Sequence, residues 1–138
     1  MPGRGTALVH LYYEKFLTAP GDLDTADEIF APEVVFHNPI SPDGIHGIDE
    51  YKKFAMRWYQ GFPDRVFTVN DTVEEADKVA ASFTITGTHS GEFMGAAPTE
   101  HPIVVKGMNL FRIERGRIAD VKAFFDPDAL YRPLGLAG

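Results

Sequence analysis

The sequence has no cysteine, which excludes a disulfide framework and any thiolate chemistry. It is short of positive charge. Thirteen Lys and Arg stand against twenty Asp and Glu, a formal net charge of −7. Such a chain presents no electrostatic footprint for nucleic acid or for an anionic membrane surface. No apolar run approaches the roughly 20 residues that cross a bilayer. The opening MPGRGTALVHLYY carries one arginine and no apolar stretch of secretory-leader length. A cytoplasmic protein is therefore expected. Internal repeats and low-complexity segments are also missing, so the 138 residues are expected to form one domain, 1–138, with one core.

What is present is aromatic and apolar. Hydrophobic residues make up 44% of the chain and aromatics 12%, with eleven Phe, five Tyr and one Trp. That is enough to fill a core and to line a cavity. The first half reads as helix. Leu8, Leu11, Tyr12 and Phe16 make a stripe that Pro20-Gly21 ends, and DLDTADEIFA is a second, short helix with Asp22 or Asp24 as its cap. EVVFHN is a brief strand and SPDG, 41–44, a turn. A third helix is predicted over 48–60, with the stripe Tyr51, Phe54, Ala55, Trp58 and Phe62, and with Asp49 and Glu50 at the positive end of its dipole. The second half alternates with period two through RVFTVNDTVEEA, VAASFTITGTH, IVVKGMNLFRI and IADVKAFFD. Helices followed by consecutive antiparallel strands predict an α+β fold: a curved, mostly antiparallel sheet wrapped as a cone-shaped barrel around three N-terminal helices.

One segment resists both patterns. GTHSGEFMGAAPTEH, 87–101, is too long for a tight hairpin and too apolar for a plain solvated loop. At the open rim of a cone, Gly87, Gly91 and Gly95 would permit backbone forms closed to other residues, and Phe93 and Met94 would fold back. Either they lid a pocket, or they plug the end of the core or pack at a dimer contact.

Strand parity selects candidates for chemistry. His89 shares parity with Ala81, Phe83 and Ile85; Asn109 with Phe111 and Ile113; His37 with Val35. The inward polar set is thus His37, His89 and Asn109. Tyr13, on the flank of the first helical stripe, adds a hydroxyl. Their walls would be Trp58, Phe83, Phe93, Phe111, Val121 and Ala123. A histidine in an apolar chamber can act as acid or base near neutral pH. An amide or a phenol can hold a developing oxyanion. Together they suit proton transfer next to a carbonyl, with no metal and no cofactor. His37, His46 and His89 lack the tight spacing of zinc motifs. Equally, His37 could bond a loop carbonyl and His89 could cap the rim.

FHNP, the combination GTHSGEFMGAAPT with GMNLFRIERGRI, and the ending FFDPDALYRPLG resemble the SnoaL-like polyketide (ester) cyclase family, of the nuclear-transport-factor-2-like superfold. The resemblance runs from the first helix to Gly135. It implies a small apolar molecule as partner and a cyclase, isomerase or lyase chemistry. It also implies a homodimer through the outer sheet face, where Thr84, Thr86, Lys106, Met108, Leu110, Lys122 and Phe124 fall by parity. Against the family pattern, the position of its acid/base aspartate is Ala123, and that of a histidine two residues earlier is Val121. His37 is left as the expected base and Asn109 as the oxyanion donor. A non-catalytic binding domain and a dimer with a vestigial pocket are the other readings.

Overall fold

The computed structural model describes residues 3–136. Helix α1 (Arg4–Leu11) runs on into a π-helical turn, Tyr12–Leu17, and α2 (Thr25–Ile29) follows. Next come β1 (Phe30–Asn38), β2 (Ser41–His46) and α3 (Gly47–Gly61). The chain then builds β3 (Val66–Glu75), β4 (Lys78–Thr88), β5 (Pro102–Glu114) and β6 (Arg117–Phe125), and ends in α4 (Pro127–Tyr131). The strands form one sheet in the order β2-β1-β6-β5-β4-β3. Every neighbouring pair is antiparallel except β1 and β6, which are parallel. This is the α+β arrangement expected, with a mixed six-stranded sheet curved around the helices. The edge strands β2 and β3 do not pair with each other, so the sheet stays open and is not a closed barrel.

The first helix buries Val9, Tyr12, Tyr13, Phe16 and Leu17, the i, i+3, i+4, i+7, i+8 face of a helix lying on a core. The expected stripe through Leu11 is rotated: Leu11 is only half-buried and Tyr13 is buried. The π turn is seen in the Thr18 amide, which donates to the Tyr13 carbonyl five residues back at 3.0 Å. A helix end leaves its last carbonyls without partners, and here side chains supply them. The Tyr59 hydroxyl bonds the Phe16 carbonyl. Arg65, 2% exposed, donates to the carbonyls of Leu17 at 2.5 Å and Pro20 at 3.1 Å, with its guanidinium 3.9 Å from the centre of the Tyr59 ring. At the other end, Glu74 of β3 accepts from the Thr6 amide at 2.7 Å and hydroxyl at 2.6 Å. The segment that carries Tyr13 is therefore tied at both ends.

Helix α3 buries Tyr51, Phe54, Ala55 and Trp58, as its periodicity predicts. The Glu50 carboxylate accepts from the His46 amide at 3.0 Å, which closes its start. SPDG is a correction. Ser41–His46 is a short strand on β1, with Phe36 opposite Ile45 and Asn38 opposite Ser41. Pro42 is tolerated because β2 is an edge strand and needs no donor on its free side. Asp126 accepts from the Asp128 amide at 3.0 Å and caps α4.

Candidate functional site

The helices and the sheet leave an apolar chamber in the core. Its walls are Tyr12, Tyr13 and Leu17 from the first helix, Phe36, Ile40, Phe54 and Trp58 from β1, the β1–β2 turn and α3, and Phe67, Phe83, Ile85, Ala123 and Phe125 from the sheet. Asn109 on β5 completes it. Gly107, one strand step from Asn109, is needed for close packing. A Cβ there would lie 2.7 Å from Cζ of Phe83 and 2.6 Å from the Phe124 carbonyl. The free space is about 30 Å³, room for a water or two. A second space of about 30 Å³ adjoins it and shares the wall of Ile40, Phe54 and Trp58. Ser41, Arg57, Phe93 and Met94 border this outer vestibule.

The chamber has one polar constellation. Asn109 Nδ2 donates to the Tyr13 hydroxyl oxygen at 2.6 Å. Both side chains are buried, at 4% and 1% exposure. The Tyr13 proton is then free to donate, and Asn109 Oδ1 is buried without a partner among the described residues. A free phenol proton and an unpartnered amide oxygen therefore stand side by side in an apolar space. Burial pushes the Tyr13 hydroxyl well above the usual tyrosine range, and the neighbouring Tyr12 adds to the rise. Tyr13 is thus held as a neutral phenol: a hydrogen-bond and proton donor, not a base.

Below the chamber, the hydroxyls of Tyr12 and Tyr51 bond each other at 2.6 Å. Burial raises both. Their rings are locked among Phe16, Phe30 and Phe36, with Tyr51 stacked on Phe30 at 4.4 Å and on Phe36 at 4.8 Å.

Of the residues expected from sequence, Tyr13, Trp58, Phe83, Asn109 and Ala123 border the chamber. Ala123 sits directly across the strand pair from Asn109, so a methyl group stands where the resemblance places a carboxylate. Phe111 and Val121 are fully buried one layer lower, with Phe111 against the Tyr12 ring at 5.2 Å. His37 is a correction. Val34 and Phe36 take the inward positions of β1, and His37 stands on the outer face, its side chain 53% exposed and its Nε2 3.6 Å from Asp120. Three apolar residues in a row, Val34, Val35 and Phe36, made the parity ambiguous, and the pairing of β1 with β6 is irregular between Phe30 and Val35.

His89 is buried but lies beyond the chamber, under the long loop. The Thr99 amide donates to its Nδ1 at 3.2 Å, so the ring carries its proton on Nε2, which has no partner among the described residues. The backbone of His89 pairs with His101 and Glu100, and its ring packs on Phe62 at 5.6 Å. It holds the loop in place. Phe93 folds inward between Trp58 and Phe62, at 5.0 and 5.1 Å, while Met94 stays exposed. Phe93 and Ala96 close a tight turn whose central Met94 and Gly95 are both left-handed. Of the loop glycines, Gly95 alone needs a positive φ. Gly91 is required for close approach instead: a Cβ there would sit 1.9 Å from the Gln60 carbonyl.

Sequence reasoning missed Tyr12, Leu17, Phe36, Ile40, Phe54, Phe67, Ile85 and Phe125 as chamber walls. All are apolar or aromatic and read as plain core. Among the described residues no group of three His, Asp or Glu side chains converges as a metal site.

The family profile of SnoaL-like polyketide cyclases matches residues 7–134. The chain belongs to the SnoaL-like family. IdmH of Streptomyces antibioticus, a candidate polyketide cyclase, is 31% identical, with 96% of this chain and 99% of that one covered and a TM-score of 0.78. A candidate SnoaL-like polyketide cyclase from Jannaschia sp. CCS1 superposes with a TM-score of 0.87 at 22% identity, over 98% of this chain and 94% of that one. AclR of Streptomyces galilaeus, a candidate hydroxylase, has a TM-score of 0.76 at 23% identity, over 97% and 80%. At those two identities the likeness shows the fold alone, and the fold carries more than one chemistry. Among curated proteins none matches the chain in sequence. Among the described residues no helix is long and apolar enough to cross a membrane.

Proposed function

We propose that the protein is a cofactor-independent cyclase that closes a ring in a small, mostly apolar polycarbonyl compound. The observation that carries this reading is the Tyr13–Asn109 pair, which keeps one free proton and one unpartnered acceptor inside an apolar chamber. Membership of a family of cyclases supports it. Tyr13 donates to the carbonyl oxygen under attack, and its strength as a donor rises in a dry site. Asn109 Oδ1 accepts from the hydroxyl of the enol that attacks. A bond forms between the enol carbon and the carbonyl carbon; the carbonyl oxygen takes the Tyr13 proton and becomes a hydroxyl, the enol oxygen becomes a ketone, and the proton it releases beside Asn109 Oδ1 returns to the Tyr13 oxygen through a bridging water, for which the chamber has room. The substrate supplies its own nucleophile, since a methylene between two carbonyls is already partly enolised. No carboxylate or histidine borders the chamber among the described residues, which fits an acid-assisted closure better than removal of a proton by an enzymic base.

The free space of the closed form is too small for such a substrate. Admission requires the shared wall of Ile40, Phe54 and Trp58 to part, so that chamber and vestibule become one. Phe93, resting on Trp58, moves with it and serves as the lid.

The test is a panel of linear poly-β-carbonyl compounds assayed for ring closure by mass-neutral change in absorbance and chromatographic retention. Closure by the native protein and its loss in Tyr13→Phe are expected. Equal closure by Tyr13→Phe would overturn the role of the pair.

The assembly that goes with this reading is a homodimer through the outer face of the sheet. Met108 and Phe124 are cross-strand partners there, 49% and 60% exposed, with Val104 on the same face at 57%. A monomer rarely leaves such a patch in water.

A further inference from the structure

The chamber and vestibule together have a single charged side chain among the described residues that border them, and that is Arg57. It lies on α3 directly before Trp58 and three residues after Phe54, so the helix that builds the shared wall also holds a guanidinium at the mouth. Arg57 is exposed, and among the described residues it has no carboxylate within 4.0 Å. Arg112 differs in pairing with Glu114 at 2.7 Å, and Arg65 in being held by the carbonyls of Leu17 and Pro20. The Ser41 hydroxyl stands on the same rim. An unpaired cation beside an apolar cavity, on a chain of net charge −7, is a local exception to a field that repels anions.

We infer that the substrate carries a carboxylate, held by Arg57 at the mouth while its carbonyl reaches Tyr13 and Asn109 inside. This rests on the reading of the chamber given above and adds the charge and polarity order of the molecule. It would be an apolar body with an acid at the outer end and a carbonyl at the inner one. The guanidinium fork matches a carboxylate, with the Ser41 hydroxyl as a further donor. Binding at this remote end fixes the register of the chain, and so selects which carbonyl meets Tyr13.

The chain's single tryptophan, Trp58, forms the wall between the two spaces, so its fluorescence reports directly on occupancy. The probes are a series of ω-oxo-ω-phenylalkanoic acids of increasing chain length and their methyl esters. In the native protein one chain length should bind best, and the acid should bind about fivefold more tightly than its ester, as a solvent-accessible ion pair allows. The preference should fade as salt is raised. Arg57→Gln should bring the ratio to one while leaving ester affinity within about twofold, and Arg57→Glu should reverse it. An unchanged acid-to-ester ratio in Arg57→Gln, with esters still bound, would overturn the carboxylate assignment and leave the chamber reading standing. Failure of both acids and esters to change Trp58 fluorescence would overturn the chamber reading and this inference with it.

Discussion

Two adjacent residues of one helix, Tyr12 and Tyr13, place the same functional group in the same core with opposite results. The Tyr12 hydroxyl meets that of Tyr51 at 2.6 Å, enclosed by stacked and edge-on rings. The Tyr13 hydroxyl meets Asn109 at the same distance, but its proton has no acceptor and Asn109 Oδ1 has no donor. The first pair is closed on itself and serves the fold. The second is left open where space remains, at the stability cost of an unmet buried acceptor. The contrast separates floor from site more sharply than burial does, since both tyrosines are 1% exposed.

The comparison breaks first on turnover. Tyr13→Phe should lower ring closure by about 10²- to 10³-fold, as loss of an oxyanion donor does, and should also destabilise by about 1–3 kcal/mol, because the buried Asn109 amide loses its partner. Tyr12→Phe should leave turnover within a few-fold but destabilise by about 1–3 kcal/mol, because the Tyr51 hydroxyl is left buried alone. Parallel kinetics and thermal unfolding of the two variants check both statements. His37→Ala, on the outer face, serves as the control and should change turnover less than twofold.

A second effect is on stability alone. Replacing both members of the open pair, Tyr13→Phe with Asn109→Leu, removes the unpartnered acceptor and should raise the melting temperature while abolishing activity. The matching closed-pair double, Tyr12→Phe with Tyr51→Phe, should be near neutral, because both partners go together. Chemical denaturation of the two doubles distinguishes them.

A third concerns pH. The hydroxyls of Tyr12, Tyr13 and Tyr51 are all raised by burial, above an ordinary value of 10.0. The unfolded chain therefore loses these protons first. Stability from this source is intact below about pH 10 and falls as pH rises beyond it. Thermal unfolding between pH 8 and 11 should show a steep alkaline decline, reduced in each Tyr→Phe variant.

The smallest effect lies farthest from the site. Light scattering at micromolar concentration should give twice the chain mass, and Phe124→Glu should give the single mass with activity kept.

Much of this architecture is legible in the residues themselves. α3 is legible because its stripe, its acidic first turn and its glycine stop agree. β3 to β6 are legible because they alternate. β2 is not, since SPDG obeys turn chemistry: only an edge position tolerates Pro42 in a strand, and Gly44 keeps a left-handed turn conformation within it. The site is legible in pieces. Parity brings Asn109 inward, and the helix flank brings Tyr13 close, but the two are 96 residues apart and no local pattern joins them. Parity does not place His37, because VVF gives no alternation to count from. His89 followed parity correctly and still missed the chamber, because its strand had ended and the loop had closed over it.

The central claim is that Tyr13 polarises a carbonyl inside the chamber, and the carbonyl itself can report it. The C=O stretching frequency of a bound phenyl ketone, read by isotope-edited difference infrared spectroscopy, should fall below its value in an apolar solvent. The account predicts that the shift survives Tyr12→Phe and vanishes in Tyr13→Phe. An identical frequency in native protein and Tyr13→Phe, with the ketone bound in both, would contradict it.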